Sequence, residues 1–225
     1  MAVNEIAYKK IKTEITEKRI TLVAVSKTKP TEDINKLFLL GQRDFGENYV
    51  QELVDKHNNL SKEIKWHFIG HLQRNKVKYI APFVYLIHGV DSFNLLEEIN
   101  KQAAKNNRII NCLLQVHIAE EETKFGFNEN ELDRLISLFD DTSLKSVCIK
   151  GLMGMASFTN EQAQVRNEFK KLKLLFEKYK ACKAENVEME ILSMGMSSDY
   201  KIAIEEGSTM VRIGSLLFGE REYNK

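Results

Sequence analysis

The segment Ile109-Ile-Asn-Cys-Leu-Leu-Gln-Val-His-Ile118 decides the fold. Successive side chains of a strand point to opposite faces, so Ile110, Cys112, Leu114, Val116 and Ile118 share one face while Asn111, Leu113, Gln115 and His117 share the other. The first face is wholly apolar and is expected to pack against helices. The second carries Gln115 and His117 at its C-terminal end, where they point into an enclosed interior near a functional rim. By the same parity Thr21, Val23, Val25 and Lys27 fall on one face of another strand, as do Met210 and Arg212 of a third.

Seven further runs of strand length surround this one, near Thr21 to Val25, Asp44 to Phe45, Lys65 to Ile69, Tyr85 to Val90, Ser146 to Lys150, Val187 to Leu192 and Thr209 to Ile213. Between them, apolar residues recur every three or four positions, as in amphipathic helices. The clearest sets are Ile34, Leu37 and Phe38; Leu95, Ile99 and Ala103; Leu132, Leu135, Ile136 and Phe139; and Phe169, Leu172, Leu175, Phe176 and Tyr179. Strands alternating with helices predict a parallel sheet. Eight such pairs in 225 residues fit an α/β fold, a (β/α)8 TIM barrel, with a doubly wound open sheet as the alternative. No linker or low-complexity tract divides the chain, and Pro30 and Pro82 sit near expected element boundaries, so residues 1–225 are expected to form one barrel domain.

The composition argues against several function classes. A net charge of +1, with 29% charged residues, gives no field for nucleic acid or an anionic membrane. Cys112, Cys148 and Cys182 cannot all pair and lack metal-type spacing, which points to structural thiols in a reducing compartment. The stretch from Asn4 to Arg19 contains three glutamates and is unlike a signal or transit peptide. With no run of membrane-spanning length, the expected location is the cytoplasm.

A barrel collects the residues just past each strand on one face. Here those positions are Lys27, Asn48, His67 to Gly70, Asp91, His117, Met153, Ser193 to Ser198 and Gly214. Lys27 lies in Ala24-Val-Ser-Lys-Thr-Lys-Pro30, where a rigid strand end can hold an amine for covalent chemistry on a carbonyl. A free lysine is almost wholly protonated at neutral pH; partial burial and a neighbouring Arg212 would both favour its neutral form.

Barrels often hold phosphate after strands seven and eight, where Ser193-Met-Gly-Met-Ser-Ser198 and Val211-Arg-Ile-Gly-Ser215 lie. Ser197 and Ser198 precede Asp199-Tyr-Lys-Ile-Ala-Ile204, read as a serine-capped helix, and Gly214 with Ser215 opens another short segment. One lysine beside one phosphate site suggests pyridoxal phosphate. Arg212, if not paired with a carboxylate, would face the pyridine nitrogen and keep it unprotonated, making the cofactor a weak electron sink.

His67, His71 and His117 lack metal-type spacing and a carboxylate partner visible in the sequence, and are read as structural or rim histidines, so no metal is expected. Glu120, Glu121 and Glu122 read as a solvated loop. Met153, Met155, Met194 and Met196 are expected to wall a planar ring.

The chain resembles the YggS/PROSC family of pyridoxal phosphate homeostasis proteins along nearly its whole length. The matching segments are Val25-Ser-Lys-Thr-Lys-Pro30, Phe45-Gly-Glu-Asn-Tyr-Val-Gln-Glu52, Trp66-His-Phe-Ile-Gly70 with Leu72-Gln73 and Asn75-Lys76, Gly151-Leu-Met153, Leu192-Ser-Met-Gly-Met-Ser197 and Gly207-Ser-Thr-Met-Val-Arg-Ile-Gly214. The resemblance implies an aldimine on Lys27, phosphate held by Met196, Ser197, Gly214 and Ser215, Arg212 at the ring nitrogen and Asn48 lining the pocket. It further implies the barrel of the alanine racemase N-terminal domain without the second domain, which in the racemase brings a catalytic tyrosine. The implied protein is a monomeric carrier and regulator of vitamin B6 with no catalytic residue, and its partners are pyridoxal phosphate and the apo-enzymes that accept it. His71 and Arg74 depart from the proline and serine of some members, and His117 from a frequent asparagine.

Overall fold

In the computed structural model, which describes residues 3–120, 125–138, 144–181, 184 and 186–219, the strands close on themselves in chain order. They are β1 (Thr21–Val25), β2 (Asp44–Glu47), β3 (Lys65–Phe68), β4 (Leu86–Val90), β5 (Ile110–Val116), β6 (Val147–Gly154), β7 (Val187–Ser193) and β8 (Met210–Ile213). Parallel pairing of β1 with β8, Thr21 opposite Met210 and Val23 opposite Arg212, completes the barrel and rules out the open sheet.

Around it run α2 (Thr31–Leu39), α3 (Val50–Asn59), α4 (Val77–Ile80), α5 (Phe93–Lys105), α6 (Glu129–Leu138), α7 (Gln162–Lys180), α8 (Tyr200–Glu205) and α9 (Ser215–Phe218), with α1 (Glu5–Glu17) preceding the first strand. These helices start where the chemistry allows. Pro30 caps α2 with its fixed φ, and Ser92 caps α5 by accepting from the Leu95 N–H. Of the α7 residues read in the sequence, Phe169, Leu172, Phe176 and Tyr179 are buried against the sheet and Leu175 is partly buried; Val165 extends the same face. Phe139 lies outside the described residues.

Two apolar clusters follow from strand parity. The larger fills the space between sheet and helices and includes Ile110, Cys112, Leu114 and Val116. The smaller is the barrel interior, made by Val23, Leu86, Leu113, Met153 and Met210, with Met155 and Ile191 against it. The opposite fates of Cys112 and Leu113 are those predicted from the β5 alternation. Cys112 and Cys148 are buried free thiols, and burial pushes the Cys148 thiol up to about 11; Cys182 lies outside the described residues.

The strand β6 runs four residues past its expected end at Lys150. Against β5, one extra residue of β6 is absorbed between Ile149 and Gly151, while β7 advances from Val187 to Ile191 over the same step, and Gly151 adopts a φ of 148° there. A β-carbon at Gly151 would lie 1.8 Å from the Ile191 carbonyl oxygen, so only glycine lets the two strands approach.

Candidate functional site: a lysine and two glycine turns on the barrel rim

At the C-terminal end of the barrel a cavity of about 530 Å³ is lined by Lys27, Asn48, Met196, Ser197, Ser198, Arg212, Gly214 and Ser215, with Val25, Ile69, Met155, Phe158 and Leu216 as apolar walls. All seven cofactor residues expected from the sequence therefore meet in one place, although β1 and β8 stand at opposite ends of the chain.

Lys27 follows β1 in a tight turn, closed by the Lys29 N–H donating to the Ser26 carbonyl at 3.0 Å. Its neighbours are held from behind by α3. The Lys56 ammonium donates to the Ser26 carbonyl at 2.7 Å, to Glu47 Oε1 at 2.8 Å and to Glu52 Oε1 at 2.6 Å. The Ser26 hydroxyl donates to Glu47 Oε1 at 2.6 Å, and the Thr28 N–H to Glu52 Oε1 at 2.6 Å. Thr28 adopts a φ of 64°, unusual for a β-branched residue. Burial pushes the Glu47 carboxyl up to about 7, against the pull of Lys56 and Ser26. Lys29, the other lysine of the turn, donates to the Phe218 carbonyl at 2.9 Å and ties the turn to α9.

Facing Lys27 are the turns after β7 and β8. Gly195 has a φ of 93°, and a β-carbon there would lie 2.5 Å from that of Ala203, so the turn needs glycine to fold against α8. The expected serine cap of α8 is not formed. The cap residue is Asp199, whose carboxylate turns back to accept the Met196 N–H at 2.6 Å. Met196 thus lines the cavity with its backbone N–H already engaged. The Gly214 N–H donates to Ser197 Oγ at 3.2 Å, bringing the two turns together at the head of α9.

Arg212 enters from below, 4% exposed, and donates to the Ser193 carbonyl at 3.0 Å, to Ser193 Oγ at 2.7 Å and to the Gly154 carbonyl at 3.2 Å. Burial lowers its pKa to about 10, with Asp199 pulling it back up, so the guanidinium stays charged at neutral pH. Asn48 Oδ1 is a buried acceptor with no hydrogen-bond partner among the described residues, and Asn48 lines a cavity that would admit a donor.

Other sequence expectations change. Met155 and Met196 wall the cavity, but Met153 belongs to the interior cluster and Met194 to the outer core, because parity turns the residue after Ser193 away from the barrel. His67 and His71 do have carboxylate partners: Asp44 at 3.1 Å and Asp91 at 3.0 Å. Each lies on a neighbouring strand or its loop, a relation that spacing along the chain does not show. His71 also stacks on Phe125 at 4.7 Å; His71, Arg74 and His117 do not line the cavity. Glu121 and Glu122 lie outside the described residues, while the Glu120 N–H is bonded to Ser157 and Glu168. Lys56 and Glu47 went unrecognised, since a lysine on a polar helix reads as solvated. Among the described residues no cluster of three or more metal-ligating side chains occurs, and no helix is long and apolar enough to cross a membrane.

Over residues 7–222 the sequence matches the family model described as "Alanine racemase, N-terminal domain", which sets the chain in that class of barrel. A protein of Aquifex aeolicus named pyridoxal phosphate homeostasis protein is 45% identical over 204 residues, covering 90% of this chain and 87% of its own length. Likeness of that extent shows that the chain belongs to the pyridoxal phosphate homeostasis protein family. Among solved structures, PipY of Synechococcus elongatus with PLP bound superposes with a TM-score of 0.80 at 34% identity, covering 89% of this chain and 93% of that one. Alanine racemase of Bartonella henselae, with covalently bound pyridoxal phosphate, superposes with a TM-score of 0.69 at 15% identity and covers 96% of this chain and 60% of its own, a likeness of fold alone.

Proposed function

We propose that this protein binds pyridoxal phosphate, covalently through the Lys27 amine, and holds it for transfer as part of vitamin B6 homeostasis. The observation that carries the reading is the meeting of Lys27 with Ser197, Gly214, Ser215 and Arg212 in one cavity, beside an Asn48 oxygen without a partner among the described residues. The names of the curated relatives and the PLP-bound PipY structure support it.

Bound pyridoxal phosphate supplies an aldehyde for the amine and a conjugated ring. The protein's part is to place Lys27 on a fixed turn, offer hydroxyls and the α9 backbone to the phosphate, and set a permanent cation at the ring nitrogen. Because Arg212 donates and does not give up its proton, it leaves that nitrogen unprotonated and the ring a poor sink for carbanion charge. This favours holding over turnover. The protein acts as a monomeric cytoplasmic carrier, one barrel domain over residues 1–225, with apo-enzymes dependent on pyridoxal phosphate as acceptors and no dealings with nucleic acid or membrane.

The test is an absorption spectrum of the purified protein after incubation with pyridoxal phosphate, followed by borohydride reduction and peptide mapping. The expected result is a yellow protein whose reduced adduct maps to Lys27 and is lost in Lys27→Ala. A protein that stays colourless and unmodified, or an adduct on Lys29 in its place, would overturn the assignment. Sustained conversion of an amino acid by the loaded protein would overturn the carrier role and leave the site.

A further inference from the structure

The barrel interior holds a run of polar side chains that cofactor binding does not itself use. His67 on β3, His88 on β4 and Ser193 on β7 are fully buried. Asp44 Oδ1 lies 3.1 Å from His67 Nε2, His67 Nδ1 lies 2.9 Å from His88 Nε2, and His88 Nδ1 lies 3.3 Å from Ser193 Oγ. Ser193 Oγ in turn accepts from Arg212 at 2.7 Å. Asp44 is the first residue of β2, at the end of the barrel away from the cavity, and its side chain keeps 21% exposure. The five side chains form an unbroken line through the barrel, from solvent at one end to the cavity at the other.

With neutral imidazoles such a line has a single polarity. A carboxylate only accepts, so His67 donates to Asp44 from Nε2 and presents Nδ1 as an acceptor. His88 then donates from Nε2 and accepts at Nδ1, where the Ser193 hydroxyl donates. That leaves a lone pair of Ser193 Oγ for Arg212. Burial, and then His67 and Arg212 nearby, push the His88 imidazole well below its usual range, so it is neutral. Every acceptor lone pair in the line points toward the guanidinium end and every hydrogen points away from it. Aligned dipoles of this kind reinforce one another in a dry interior and stabilise the cation.

We propose that Asp44, His67, His88 and Ser193 are a positioning chain that fixes the guanidinium of Arg212 and so tunes the ring end of bound pyridoxal phosphate. The proposal rests on the functional reading above. Among the described residues Arg212 makes one side-chain hydrogen bond, to Ser193, whose rotor His88 sets; its other two bonds go to backbone carbonyls, and Asp199 acts on it through charge. Without the chain, the Ser193 hydroxyl hydrogen is free to turn toward the cation it should accept from.

Two measurements test this. Nitrogen-15 NMR of the ligand-free protein should show His67 and His88 as Nε2–H tautomers that accept at Nδ1. A charged His67, or an Nδ1–H tautomer at His88, reverses the polarity and overturns the proposal. Ser193→Ala is then compared with Ser208→Ala, a control at another buried serine, whose hydroxyl bonds only to the carbonyls of Leu192, Met194 and Met210. Ser193→Ala should still take up pyridoxal phosphate, with a displaced absorption band and affinity lowered about tenfold. Ser208→Ala should lose thermal stability and keep the band. An unchanged band and affinity in Ser193→Ala, or the same displacement in both variants, refutes the chain. If the unsubstituted protein takes up no cofactor, the functional reading fails and the proposal with it; that outcome is told apart because the tautomers are read before ligand is added.

Discussion

Thr28 holds a left-handed backbone that costs an L-residue roughly 1–2 kcal/mol, directly after the lysine on which the site depends. The buried group of Lys56, Glu47 and Glu52 is what holds it there, and Glu47 makes that group sensitive to pH. Its carboxyl titrates near 7 in the folded protein against 4.5 as the reference, so between those values the folded state binds more protons than the unfolded. Through this group, stability is greatest below about pH 4.5 and falls as pH rises to 7. Urea unfolding of the parent and of Glu47→Gln at several pH values should show the parent losing stability relative to the variant from pH 5 to 8. A constant difference would mean that Glu47 titrates normally. At this scale the sequence was legible where position along a strand decides where a side chain goes. Lys27 stands at a strand end and Arg212 on an inward parity, and both reach the cavity. Lys56, on a polar helix, becomes interpretable only once α3 is seen to back the Lys27 turn.

The strand β6 shows how an element departs from its sequence signal. Glycine in a strand reads as an ending, and Gly151 instead marks a bulge after which the strand resumes through Leu152 and Met153. Gly151→Ala adds a strained φ and a clash between two backbones, neither relieved by a rotamer change. The expected loss is about 3 kcal/mol or more, with Tm lower by about 6–12 °C, measured by calorimetry. A fall of under about 2 °C would show that the strands can part. Strand parity was otherwise dependable, as the assignment of Cys112 to the outer core and Leu113 to the barrel interior shows. It also explains the failure at Met194, which was grouped with Met196 by spacing in a loop but lies one residue past the inward-facing Ser193. Hydrogen bonds between strands, such as those of His67 and His88, have no local signature, because β4 adds its partner residue from outside any motif.

For the whole molecule, Lys27, Asn48, Ser197 and Gly214 of the rim list lie together because a closed barrel gathers strand ends on one face, while His67, Met153 and Ser193 turn into the interior and Met194 into the outer core. The cavity depends on that closure, and so ligand and fold are linked. Pyridoxal phosphate at one hundred times its dissociation constant should stabilise the protein by about 2.7 kcal/mol, seen as a rise in Tm of about 5–11 °C. The rise should shrink in Lys27→Ala, while an unliganded Tm close to that of the parent would show the substitution to be local. No rise in the parent at saturating ligand would count against binding.

The pairing of β1 with β8 also orders events while the chain is being made. Lys27 leaves the ribosome early and the Gly214 turn nearly two hundred residues later. Until β8 arrives, the first strand has an open edge and the lysine faces no phosphate-binding turn. Nascent chains therefore carry Lys27 without a finished cavity, and on the function proposed above capture waits for the last strand. Loading reports that synthesis of the barrel is finished, and a chain stalled before Met210 is expected to be left unloaded.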